Sequence, residues 1–319
     1  MSPLADGSRI AAVIEDMAHP PEVAIFEAAT KDWRVISDFN ATIAAMPLPG
    51  AECVRWTARD GLEIQGLLTR PVPPKTGPLP LILLVHGGPN ILWSNQLTNN
   101  TRALAFAAEG YAVLQPNPRG SIGRGLAFAE AVVGDCGGED LQDLLCGVDA
   151  MVERGIADTS RVGITGVSYG GFMSAWAVTQ SDRFAASIPL SCVSNQLSHY
   201  YSANIRRFDE IYIGASPRTN AEAFLARSPV QFVDGARTPT LLISGSGDHI
   251  TPPGQAVEFY QALIEVGCPT ELVIYPREGH YVLELEHQLD FFERLMTWFD
   301  RWMAPNRAPV AGARPSISR

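Results

Sequence analysis

Between Arg161 and Gly171 the chain reads RVGITGVSYGG, an apolar run ending in a serine with glycines two residues to either side. A serine hydroxyl becomes a nucleophile when a base takes its proton and an acid holds the base in the right tautomer. Two residues further along fit those roles. Asp248 lies in SGSGDHITPP, after the strand-like TPTLLISG, and His280 lies in YPREGHYV, after TELVIYP. The order is Ser168, Asp248, His280, with gaps of 80 and 32 residues. Each residue sits in the loop after its own apolar strand, which is hard to obtain by chance. Ser168 is expected to be the nucleophile, His280 the general base and then acid, and Asp248 its orienting partner.

Plainer readings compete with each residue. GVSYG could be a turn that merely joins strand to helix. Its setting favours chemistry, because the motif requires a preceding strand and a following helix. Of the six histidines, His86 belongs to HGGP, His249 adjoins an aspartate, His287 falls on the last helix, and His19 and His199 have no strand-end setting. Asp140, Asp143, Asp182 and Asp209 lie in or near helices and are expected to be solvated surface charges. HGGP (His86 to Pro89) matches the Gly-rich loop that supplies one backbone N–H to an oxyanion hole, and the N–H of Tyr169 supplies the other. HYVLELEH brings His280, Glu284 and His287 to near-helical spacing, but it is not H-E-x-x-H and no metal is expected.

Elements that can position these residues follow in alternation from Leu79. PLILLVHGG, YAVLQPNPRG, SRVGITG, AASIPLSCV, TPTLLISGSGD and TELVIYP read as strands. RALAFAAEG, GEDLQDLLCGVDAMVERG, GGFMSAWAVTQ, PPGQAVEFYQALIEVG and a segment from about Leu283 to Met303 read as helices. Continuous apolar strands imply a mostly parallel sheet covered by helices on both faces, with ligands outside the strands' carboxyl ends. With the Ser–Asp–His order, this predicts an α/β-hydrolase fold over residues 51–304. CVRWTARDGLEIQGLLTRP reads as a hairpin turning at Asp60-Gly61. Residues 1–50 form a small β-rich extension, and the Pro/Ala/Arg-rich 305–319 tail is expected to be disordered.

Composition narrows the partners. A net charge of −10 argues against nucleic acid or an anionic membrane as a partner. The five cysteines are scattered without a CxxC pair, so neither a disulfide framework nor a cysteine metal site is indicated. The acidic N-terminus lacks the pattern of a signal peptide, no run approaches a membrane span, and a cytoplasmic location is expected.

The chain resembles the catalytic domain of the prolyl oligopeptidase family of serine peptidases, especially its acylaminoacyl-peptidase branch. HGGP, NPRGSIGRG, GGEDLQDLLCGVDAMVERG, GVSYGGFMSAWAVTQ, SPVQFVDGARTPTLLISGSGD and YPREGHYV carry the resemblance, in order, across residues 50–303. It implies the triad Ser168, Asp248 and His280, with Gly88 and Tyr169 as oxyanion donors and no cofactor. The choice of Gly88 over Gly87 rests on the resemblance alone. Family members usually carry a large β-propeller over the active site. Here about 50 residues precede the catalytic domain, and PPEVAIFEA is similar to the end of a final blade. An uncovered triad is expected to act first on small acyl esters, whose leaving groups need less help than amines do. The alternative is release of acyl-amino acids or short peptides, and a remote one is a non-catalytic interaction module. Tyr200, Tyr201, Phe208 and Tyr212 could line a pocket, although core or cap packing is the plainer reading. Unpaired N-terminal strand edges predict a homo-oligomer.

Overall fold

The computed structural model describes residues 1–303, so the tail at 305–319 lies outside the described residues. At the N-terminus β1 (Ser2–Pro3), β2 (Arg9–Asp16), β3 (His19–Glu27) and β4 (Asp32–Val35) form an antiparallel meander in chain order. Its β2–β3 turn docks on the loop after the seventh strand, where Glu15 accepts from the Thr98 N–H at 2.9 Å and its hydroxyl at 2.7 Å. Helix α1 (Ala41–Ala44) leads to the hairpin of β5 (Ala51–Thr57) and β6 (Glu63–Thr69). Thr57 pairs with Glu63, and the Asp60 carboxylate caps the turn by accepting from the Leu62 N–H.

The alternating series then builds the rest. β7 (Leu79–Val85), α2 (Thr101–Ala108), β8 (Ala112–Asn117), α3 (Leu126–Glu130) and α4 (Glu139–Glu153) come first. β9 (Ala157–Val167), α5 (Tyr169–Gln180) and β10 (Ala186–Leu190) follow. A helical insertion comes next, made of α6 (Gln196–Ser202), α7 (Arg206–Ile213), α8 (Ala221–Leu225) and a 3₁₀ segment at Pro229–Gly235. The chain closes with β11 (Thr240–Gly245), α9 (Gly254–Glu265), β12 (Thr270–Tyr275) and α10 (Leu285–Met303).

Eight strands share one sheet in the order β12-β11-β10-β9-β7-β8-β6-β5. β8, β7, β9, β10, β11 and β12 are mutually parallel, and β6 runs antiparallel to β8 and β5. Alternation along β7 explains why its whole run is apolar. Leu81, Leu83 and Val85 pack with Leu144 of α4, Phe172 of α5 and Phe259 of α9. Ile82 and Leu84 pack with Phe106 of α2 and Phe299 of α10 on the other face. This is the expected α/β-hydrolase fold, a mixed sheet that is parallel through its centre.

Strand order reverses beside β7: the chain leaves it toward β8 but places β9 on its other side. Two loops therefore open in opposite directions at neighbouring strand ends, which creates a crevice there. Helix α10 closes the far face. A side chain on Gly163 of β9 would place its first carbon 2.5 Å from the Phe299 ring, so the glycine lets α10 lie close. Phe299 is fully buried and meets Phe106 edge-on at 5.6 Å. Phe299→Ala should cost about 3–5 kcal/mol of unfolding free energy. Urea denaturation measures this, and a loss below about 1 kcal/mol would mean that the site collapses without harm.

Candidate active site

Ser168 stands alone between β9 and α5 with φ 64° and ψ −117°, a conformation that L side chains rarely adopt and that costs about 1–3 kcal/mol. Backbone bonds hold it there. Its N–H donates to the Leu190 carbonyl at 3.0 Å, and its carbonyl accepts from the Phe172 N–H at 2.8 Å, starting α5. The glycines on either side are needed for packing. A Cβ at Gly166 would lie 2.4 Å from the Val85 carbonyl oxygen, and one at Gly170 2.3 Å from the same atom. The turn is thus pressed against the end of β7. Its serine hydroxyl, free of hydrogen bonds among the described residues, lines a cavity of about 260 Å³ together with His280.

Asp248 and His280 meet at 2.8 Å, carboxylate Oδ2 to ring Nδ1. Asp248 is buried and accepts three more hydrogen bonds, from the Ile250 N–H, the Thr251 N–H and the Thr251 hydroxyl. Burial opposes its ionisation, but the bonds from His280 and Thr251 outweigh it and hold the carboxyl below its ordinary value. An anionic Asp248 fixes the His280 proton on Nδ1 and leaves the Nε2 lone pair available. That is the arrangement a general base requires. The DHIT stretch announces this loop, since Asp accepting N–H groups two and three residues ahead is an Asx turn.

Gly88 and Tyr169 also border the Ser168 cavity. Tyr169 opens α5, where the first N–H groups have no partner inside the helix. Gly88 follows β7 with φ 105°. His86 holds this loop through its Nδ1–H, which donates to the Gly87 carbonyl at 2.7 Å, and through Nε2, 2.9 Å from the Ser121 hydroxyl. Burial pushes the His86 ring down to about 4, so it is neutral. In a planar peptide the carbonyl and the following N–H point in opposite directions. Anchoring the Gly87 carbonyl therefore aims the Gly88 N–H.

Beneath the cavity the structure corrects the expectation of solvated surface charges. Asp140, Asp143 and Asp209 are all at most 3% exposed. Asp143 takes a bidentate pair from Arg119, at 2.9 and 2.7 Å, and Arg119 also reaches Asp60 at 2.9 Å. Asp209 bonds His199 Nδ1 at 2.9 Å, and His199 Nε2 faces the Ile250 carbonyl, so a histidine without a strand-end setting borders the cavity. Asp140 accepts from the Tyr169 hydroxyl and anchors that side chain. Phe208 and Tyr212 of α7 line the cavity, whereas Tyr201 is exposed. The metal-like spacing resolves differently from HYVLELEH as well. Glu278, Glu284 and His287 cluster without His280. Glu278 is engaged by the Leu283 and Glu284 N–H groups and by His287, and Glu284 by Arg277, so the cluster is a capped start of α10.

An α/β-hydrolase sheet with a strained serine, an Asp–His pair and a Gly-rich loop converging at its switch point has the layout of a serine-hydrolase site. The chain belongs to the prolyl oligopeptidase family (Peptidase_S9), whose sequence pattern matches residues 97–306. It is 35% identical over 256 residues to the uncharacterized peptidase YuxL of Bacillus subtilis, covering 78% of this chain and 39% of that protein. It is 30% identical to the acylamino-acid-releasing enzyme of Rattus norvegicus, covering 79% of this chain and 35% of that one. A solved acylaminoacyl peptidase in complex with Z-Gly-Gly-Phe-chloromethyl ketone superposes with a TM-score of 0.87 at 30% identity, over 95% of this chain and 49% of that one. The chain thus spans half or less of the length of these relatives. Among the described residues no helix is long and apolar enough to cross a membrane.

Asp140 gives this subsection its test. Burial raises its carboxyl from 3.8 to about 7, against the opposing bond from Tyr169. A folded-state value above the unfolded one contributes stability that is complete below 3.8 and lost as pH rises through about 7. Asp140→Asn cannot ionise, so its stability relative to the parent should climb between about pH 4 and 7 and level off above. Denaturant titrations across that range read the difference. A difference independent of pH would show that Asp140 is charged throughout.

Proposed function

We propose that the chain hydrolyses amide bonds of N-acylated amino acids or short peptides through a covalent acyl-enzyme on Ser168. The observation that carries this reading is the shared cavity. Ser168, His280, Gly88 and Tyr169 border it together with a set of apolar side chains and the polar Gln196, His199, Asp209 and Thr251. His280 Nε2 takes the Ser168 proton as Oγ attacks the carbonyl carbon. The N–H groups of Gly88 and Tyr169 receive the oxyanion, each worth roughly 10²–10³ in rate. Protonated His280 then gives its proton to the leaving amine, and water repeats the sequence to release the acid. Asp248, held anionic, stabilises the imidazolium formed twice in each cycle.

Substrate choice follows from the cavity walls. Phe172, Val193, Ile205, Phe208, Tyr212 and Ile250 make a large apolar slot beside Ser168. This suits a bulky apolar side chain on the acyl side of the scissile bond. The relative with the Phe-ended chloromethyl ketone supports the same class. The amide reading takes the place of small esters as the principal one because the relatives named above are peptidases or an acylamino-acid-releasing enzyme by name. Ester cleavage follows from the same machinery.

A panel of N-acetylated amino-acid p-nitroanilides beside p-nitrophenyl butyrate tests the proposal. N-acetyl-Phe and N-acetyl-Leu anilides should exceed the N-acetyl-Ala anilide in kcat/KM by about 10-fold or more, since apolar pocket filling is worth a few kcal/mol. Ser168→Ala should remove about 10⁶ of kcat if the three residues act as a unit. Brisk ester turnover with no anilide cleavage would return the chain to the esterases.

A further inference from the structure

The His280 loop borders a second cavity, of about 460 Å³, on the α2/α10 face of the sheet. His280 and Tyr281 line both cavities. The walls of the second are Leu190 and Ile243 at strand ends, Val282, and Phe291 and Phe292 of α10. Among the described residues a single side chain of fixed charge lines it, that of Arg102 in the first turn of α2. No aspartate or glutamate among the described residues does. Among the described residues Arg102 makes no hydrogen bond and no ion pair, unlike Arg119, Arg161 and Arg227, each of which holds a carboxylate. Burial lowers its pKa, and the opposing influence on it is the Tyr281 phenol.

A partly desolvated cation without a counter-ion is costly, and its N–H donors find no acceptor among the described residues. An entering anion recovers that cost through a charge-assisted bidentate pair. Its remaining bulk must be apolar to match the phenylalanines. Thr101 and Ser244 also line the cavity and offer hydroxyls to a head group. We propose that this cavity is a ligand site for a small amphipathic carboxylate, with the carboxylate on Arg102 and the apolar part against Phe291 and Phe292. Two sources share this chemistry, a free fatty acid and an acyl-amino acid. The site makes no use of the Ser168 hydroxyl, so it stands or falls apart from the peptidase reading.

Calorimetric titration of the whole chain with decanoate, N-acetylphenylalanine and decanol tests it. Decanoate or N-acetylphenylalanine should bind, the tighter of the two naming the source. Decanol, which keeps the tail and loses the charge, should bind at least about tenfold more weakly than decanoate. Arg102→Gln should weaken the carboxylate by a similar factor and leave decanol unchanged, with turnover of the acetyl-Ala anilide retained. Phe292→Ala should weaken both ligands. If Arg102→Gln does not fold, the decanoate-to-decanol ratio on the parent chain decides. Equal affinity for acid and alcohol, or no loss in a folded Arg102→Gln, overturns the proposal, because the ligand would then sit in the Ser168 cavity or on the surface.

Discussion

Where β9 turns into α5, the backbone at Gly166 and Gly170 lies against the carbonyl of Val85 at the end of β7, closer than any side chain would permit. That contact sets the rest of the site. It brings the strained Ser168 beside the Gly87–Gly88 loop, so that a Cβ on Gly87 would stand 3.5 Å from the Cβ of Ser168. The proposed nucleophile and one proposed oxyanion donor thus come from adjacent strands, while the other proposed donor is the next N–H in the chain. A larger residue at either glycine would separate β7 from the elbow and move all three groups together. The strain at Ser168 is held by the sheet beneath it, through β7 on one side and the Leu190 carbonyl of β10 on the other.

A second layer supports this arrangement from α4. Asp140 and Asp143 are three residues apart and therefore on one helical face. Asp140 holds the ring of Tyr169, whose N–H is one proposed donor. Asp143 holds Arg119, whose loop carries Ser121 against His86, and His86 aims the peptide that bears the other. One turn of helix thus reaches both sides of the proposed oxyanion hole by separate chains of hydrogen bonds. Buried, fully partnered polar networks of this kind fix geometry more than they add stability.

Much of this was legible in the chain, for a simple reason. Ser168, Asp248, His280 and the HGGP loop each follow an apolar strand, and in a parallel sheet the loops after strands converge at one edge. The same logic misplaces charges on helices. Asp140, Asp143 and Asp209 look like polar faces of amphipathic segments, and only the tertiary fold reveals that Tyr169, Arg119 and His199 wait for them. Arg102 gives no local signal at all, because what distinguishes it is the lack of a partner among the described residues. The acidic cluster near His280 was legible in type but wrong in membership. A buried Glu278 takes the position expected of the histidine, and by accepting the N–H groups of Leu283 and Glu284 it shapes the turn that carries His280.

The two carboxylates nearest the proposed chemistry show how environment divides identical groups. Asp248 and Asp140 are both buried, and burial alone would push both toward the neutral form. Asp248 accepts four hydrogen bonds, from two backbone amides, a hydroxyl and an imidazole, and stays ionised. Asp140 accepts two, from the Leu141 N–H and the Tyr169 hydroxyl, and burial wins. The difference suits their places. Beside His280 the proposed mechanism needs a permanent anion to stabilise an imidazolium each time a proton moves. Beneath Tyr169 the carboxyl has only to fix a ring, and a second full negative charge close to the oxyanion hole would oppose the oxyanion that the hole must receive.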